Sequence, residues 1–148
     1  MSAAVVVDTN IVLDLFVFAD TAAKSLRAAI DSGRLRWLAT ASMRDELERV
    51  LAYPQIRKRL DYYALDAPAV LAHFDRHAQR VEVAPKAPVT CSDPDDQKFI
   101  DLAVAHGGWL LSKDQAVLSM RKRLAAQNVT ACAAYPDLET DTDIENSA

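Results

Sequence analysis

The run Val5-Val6-Val7-Asp8-Thr9-Asn10 decides how this chain is read. Three β-branched residues, apolar at every position, lead straight into a carboxylate. A short run with no polar alternation is the pattern of a strand buried on both faces, as in a parallel sheet. Asp8 then stands at the carboxyl end of that strand, with Thr9 and Asn10 beside it. In open α/β sheets ligands bind along this edge. An Asp after a strand is also an ordinary turn or cap residue, so Asp8 by itself assigns nothing.

Outward from this stretch the chain alternates between short apolar strands and amphipathic helices. Strands are expected at 35–39, 81–83, 109–111 and 129–132. Helices are expected at 21–31, from Thr40 or Ser42 to about Tyr53, at 55–60, at 67–80, from Ser92 to His106, and from Asp114 to about Ala126. The βα alternation predicts an α/β fold with a central parallel sheet flanked by helices. At 148 residues, 51% of them hydrophobic, the chain suits one domain with a real core.

Three further carboxylates share the setting of Asp8. Glu46 lies three residues from Met43 and four from Val50, inside the apolar stripe of its helix, where an unpaired charge is costly. A salt bridge to a core-facing base is the plain alternative. Asp96 has Phe99, Ile100, Ala103 and Gly107 at i+3, i+4, i+7 and i+11, which puts it at the head of the inward stripe, while Asp95, Lys98 and Asp101 face away. Asp114 follows a buried strand as Asp8 does, and also fits a helix N-cap. Asp93 is read as a cap first, with Pro94 at N1, and as a site residue second. Four acids gathered in a low-dielectric pocket repel one another, and a divalent cation removes that cost. All-oxygen ligation without His or Cys favours Mg²⁺ or Mn²⁺.

The net charge of −4 hides an asymmetry. Residues 136–148 hold five acids and no Lys or Arg, which leaves 16 acids against 17 bases in the body. With four acids around a metal, the rest of the body is +5, compatible with a polyanionic partner. Basic candidates for backbone contacts are Arg44, Lys113, Arg121, Lys122 and Arg123, although a solvated helix end explains the last three equally well. The three histidines suggest no general acid–base pair. His73 and His77 border an apolar stripe, and His106 fits a helix C-terminus. Cys91 and Cys132 have no CxxC partner and read as free thiols. No signal-peptide pattern or membrane span is visible, so a cytoplasmic protein is expected. The tail over 136–148 is expected to be disordered.

At these residues the chain resembles the PIN-domain nucleases, and most of all the short bacterial VapC-type toxins of toxin–antitoxin pairs. The matching segments are Val6-Val7-Asp8-Thr9-Asn10, Ser42 through Glu46-Leu47 to Val50-Leu51, Cys91-Ser92-Asp93-Pro94-Asp95-Asp96 to Phe99 with Ala103, and Leu110-Leu111-Ser112-Lys113-Asp114. The resemblance implies a PIN-like three-layer fold over residues 1–135 and a Mg²⁺- or Mn²⁺-dependent ribonuclease hydrolysing RNA phosphodiester bonds. It further implies a cognate antitoxin and a homodimer. Carried over residue by residue, it makes Asp8, Glu46, Asp96 and Asp114 the catalytic metal ligands, with Asp93 in reserve and Thr9, Asn10 and Ser112 as supporting polar groups. Gln97 departs from a third consecutive acid found in many relatives. Two other readings compete. A non-catalytic PIN-fold scaffold would need no unpaired acidic pocket. A phosphatase with Asp8 as nucleophile wants a second Asp two residues on, where Asn10 stands.

Overall fold

A computed structural model describes residues 2–136. Five parallel strands form one sheet in the order β3-β2-β1-β4-β5. Their ranges are β1 Ala3–Val7, β2 Leu35–Ala39, β3 Ala78–Arg80, β4 Gly108–Leu111 and β5 Val129–Cys132. The fold is thus the expected PIN-like α/β arrangement, a central parallel sheet flanked by helices. The Val5-Val6-Val7 run is the middle strand, and all three residues are buried. Between β1 and β2 lie α1 Thr9–Phe16 and α2 Lys24–Asp31; α3 Ala41–Leu51, α4 Pro54–Tyr62 and α5 Ala67–His77 follow β2. Next come α6 Gln97–His106 before β4, and α7 Gln115–Leu118 with α8 Arg121–Ala125 after it.

From β1 the chain builds outward through β2 to β3, then returns across the sheet to place β4 on the other side of β1. Right-handed crossovers therefore put the helices of the two halves on opposite faces. The direction of winding reverses between β1 and β4, and crevices open at the carboxyl ends of strands at such a reversal. The register sets what faces that crevice. Val7 pairs with Leu111, and the Asp8 N–H donates to the Leu111 carbonyl at 3.1 Å. Asp8 and Ser112 consequently leave adjacent strands side by side.

The helix α1 was not among the expected elements, and several others depart from expectation in their boundaries. The edge strand β3 is Ala78–Arg80 rather than 81–83, and α5 stops at His77. Val81 still donates its N–H to the Ala39 carbonyl at 2.9 Å, but Val83 is exposed. An edge strand is held by backbone pairing on one side, so it needs no β-branched residues to form. The helix expected over 92–106 begins as a 3₁₀ turn, Pro94–Asp96. The one expected after Asp114 is broken at Ser119 and Met120 into α7 and α8. Cys91 and Cys132 are free thiols. Beyond Pro136 the expected acidic tail lies outside the described residues.

Candidate metal centre

The site begins with the caps. Asp8 is the N-cap of α1 and accepts the Ile11 N–H at 3.0 Å. Asp93 caps the 3₁₀ turn through the Asp95 N–H, and Asp114 caps α7 through the Ala116 N–H, each at 2.9 Å. A cap bond uses one carboxylate oxygen and aims the other. The capping and ligand readings of these aspartates are therefore compatible: the cap is what orients the carboxylate. Ser112, fully buried, donates its hydroxyl to Asp8 Oδ2 and accepts the Asp114 N–H at 3.0 Å. One hydroxyl thus joins the ends of β1 and β4.

Asp93, Asp96 and Asp114 each bring a carboxylate oxygen to within 4.8 Å of the other two. Asp96 is 9% exposed, and its Oδ2 has no hydrogen-bond partner among the described residues. Burial comes first in pushing the Asp96 acid up to about 7, followed by the neighbouring Asp114 carboxylate and the charges of Asp93 and Asp8. Burial likewise raises Asp8, against the lowering pull of the Ser112 and Ile11 hydrogen bonds. Asp8 thus faces the cluster as a close negative charge, although it lies outside the group of three. Buried like charges with an unsatisfied oxygen are stable in two ways, with a shared proton or with a cation. The donor set is all carboxylate oxygen, which fits a hard divalent ion.

Glu46 is placed differently. Its two oxygens accept from Thr9 Oγ1 and from Lys98 Nζ, the latter at 2.8 Å. Thr9 follows Asp8 directly, so Glu46 reaches the head of α1 but is held there by an ion pair. Lys98 was expected to face away from the stripe. Instead its side chain curls back to the Asp95 carbonyl and across to Glu46, which a long flexible stem permits whatever its helical phase. Asn10 is exposed on α1. Gln97 does not enter the cluster. It braces the preceding loop by accepting from the Cys91 N–H and donating to the Val89 carbonyl and Asp101.

Of the basic candidates, Arg44 makes a two-pronged pair with Asp75, at 2.7 and 2.9 Å. Lys113 pairs with Asp14, a buried acid on α1 that the sequence reading passed over within its apolar run. The signal available was the same as for Glu46, a carboxylate inside an apolar helical stripe. Arg121, Lys122 and Arg123 are exposed on α8. His73 stacks on Phe16 at 5.2 Å, and His77 pairs with Asp31 at 3.3 Å, which leaves both engaged on another part of the molecule.

The PIN domain family model matches residues 4–116. The chain belongs to the PIN domain family, a family of nucleases that use divalent metal ions. No curated protein matches it. Among the described residues no helix is long and apolar enough to cross a membrane.

Proposed function

We propose that this protein is a metal-dependent endoribonuclease, the toxin of a toxin–antitoxin pair, with residues 1–135 as its nuclease domain. The observation that carries the nuclease reading is the buried, unpartnered Asp96 oxygen facing Asp114 and Asp93, at the sheet edge where Asp8 emerges. Asp93, Asp96 and Asp114, with Asp8 beside them, are the residues that would hold Mg²⁺ or Mn²⁺. Held by these residues, such an ion would supply Lewis acidity toward a phosphoryl oxygen and lower the pKa of water for attack at neutral pH.

The chain's own groups do the rest. Ser112 and the Ile11 N–H hold the Asp8 carboxylate in one orientation. Thr9 and Lys98 hold Glu46 at the rim. Arg121, Lys122 and Arg123 present exposed charge for a phosphodiester backbone. Arg44 and Lys113, each paired with an acid, reach a backbone only by exchanging that acid for a phosphate. Hydrolysis, rather than attack by the RNA's own 2′-hydroxyl, is supported by the engagement of His73 and His77 elsewhere, since the latter route needs a general acid and base.

RNA as substrate, the antitoxin and a homodimer rest on the resemblance to VapC-type toxins. An antitoxin of the chemistry this pocket invites carries an Arg or Lys that reaches the carboxylates. If the product of the adjacent reading frame neither binds nor inhibits the protein, the toxin assignment fails. The nuclease reading is tested on a panel of single-stranded and structured RNAs with Mn²⁺, Mg²⁺ or EDTA, comparing wild type with Asp8→Asn. Cleavage that needs both metal and Asp8 is the expected result. Cleavage that persists in EDTA, or in Asp8→Asn, would overturn it.

A further inference from the structure

Lys98 brings a positive charge against Glu46 and the carbonyl that precedes Asp96, and it is held there at three points. Its Nζ lies 2.8 Å from Glu46 Oε1 and 2.7 Å from the Asp95 carbonyl oxygen, and 4.9 Å from the centre of the Phe99 ring. The side chain is 29% exposed and that of Glu46 only 19%, so the pair is partly desolvated and the contact correspondingly firm. The second Glu46 oxygen accepts from Thr9. Both oxygens of Glu46 are thus engaged by donors of this chain, whereas Asp96 Oδ2 has none among the described residues.

The pocket is therefore divided electrically. Asp93, Asp96 and Asp114 present carboxyl groups that no ammonium or guanidinium among the described residues pairs with. Glu46, bonded through Thr9 to the head of α1, is already neutralised at contact distance. A cation seeking Glu46 has to displace an ammonium held also by a carbonyl and an aromatic face, which weakens its binding by what that charge-assisted contact contributes.

We propose that Lys98 is a positioning residue that occupies with its ammonium the seat of a second cation, so that the pocket takes one divalent ion, at the Asp93–Asp96–Asp114 cluster. This rests on the metal-centre reading above and adds to it the number of ions and the residue that sets that number.

The test is a Mn²⁺ titration of the full-length, metal-stripped protein, with free Mn²⁺ followed by electron paramagnetic resonance. Wild type is expected to bind one ion, with any second ion far weaker. Lys98→Met keeps the apolar stem over Phe99 and removes the charge; its second ion should bind about tenfold more tightly than that of wild type, or better, the size expected for losing one charge-assisted contact. Lys98→Arg should restore the single-ion isotherm, and Lys98→Met combined with Glu46→Gln should lose the second ion again. If Lys98→Met does not fold by circular dichroism, Lys98→Gln serves in its place. An isotherm unchanged by removing the charge, or two equally tight ions in wild type, overturns the role of Lys98 while leaving the metal centre standing. Wild type that binds no Mn²⁺ overturns the metal centre and this inference with it.

Discussion

Ser112 shows how much one small side chain does at this site. Its hydroxyl donates to Asp8 and accepts from the Asp114 backbone, so it ties two carboxylates from distant parts of the chain to one geometry. Supporting groups of this kind commonly contribute one to two orders of magnitude. Ser112→Ala is expected to weaken Mn²⁺ binding about 10- to 100-fold with little change in fold, as read by titration and circular dichroism. Binding equal to wild type would show that Asp8 is oriented by its cap alone. Asp8, Asp96 and Asp114 were visible in the sequence because each breaks a local pattern, as a carboxylate at a strand end or on an inward stripe. The partnership of Lys98 with Glu46 was not visible. Helical phase places a Cα and not the tip of a four-carbon side chain, and the contact crosses from α6 to α3.

The elements hold their places through a few backbone constraints that side-chain periodicity does not report. Gly108 opens β4 with φ at +101°, and a Cβ built there would lie 2.3 Å from the Ala4 carbonyl oxygen of β1. The close approach of β4 to β1 therefore requires glycine, and this pairing is what sets Ser112 beside Asp8. Gly108→Ala combines left-handed strain with a clash against backbone that cannot swing away, and it should cost at least ~2 kcal/mol of stability. Gly33 has φ at +82° but open space around its Cα, so Gly33→Ala carries strain alone and should cost less. Thermal unfolding of the two variants checks the order. A Gly108→Ala protein as stable as Gly33→Ala would mean that β1 and β4 part easily. The boundaries that differed from expectation, at β3, at the 3₁₀ entry to α6 and at the break between α7 and α8, all lie where backbone pairing or capping outweighs apolar periodicity.

Over the whole molecule the acidic cluster is expected to make stability depend on pH and on metal. Without metal, Asp96 titrates near 7 in the folded chain against an ordinary 3.8. The folded state then holds more protons than the unfolded one across that window. Its contribution to stability is complete below about pH 4 and is lost as the pH rises through about 7. Asp8, also raised, acts in the same direction. His73, lowered from 6.5 by burial, acts oppositely just below that value, and Asp75, lowered by its bond to Arg44, has its full effect already above 3.8. Subtracting the profile of Asp96→Asn reads the Asp96 contribution together with its interaction with Asp114. In EDTA the stability of wild type relative to Asp96→Asn should fall between pH 4 and 7. Saturating Mn²⁺ should cancel that fall, because a ligand of the folded state alone stabilises it by mass action. Urea midpoints at four pH values measure both effects, and a flat difference in EDTA would contradict a protonated Asp96.

Apart from α1, which was not among the expected helices, the order of strands and helices, the buried middle strand and the set of carboxylates to watch were all local in origin. Each came from residues within a turn or two of one another, and propensity, capping and apolar period act over that range. Which carboxylates gather into one cluster was not local. Asp93 and Asp96 meet Asp114 because α6 packs back against β4, and Glu46 is neutralised because α6 brings Lys98 against α3. Asp96 and Asp114 are 18 positions apart in the chain, and Glu46 and Lys98 are 52 apart. No short-range signal encodes such distances; the packing of the folded chain sets them.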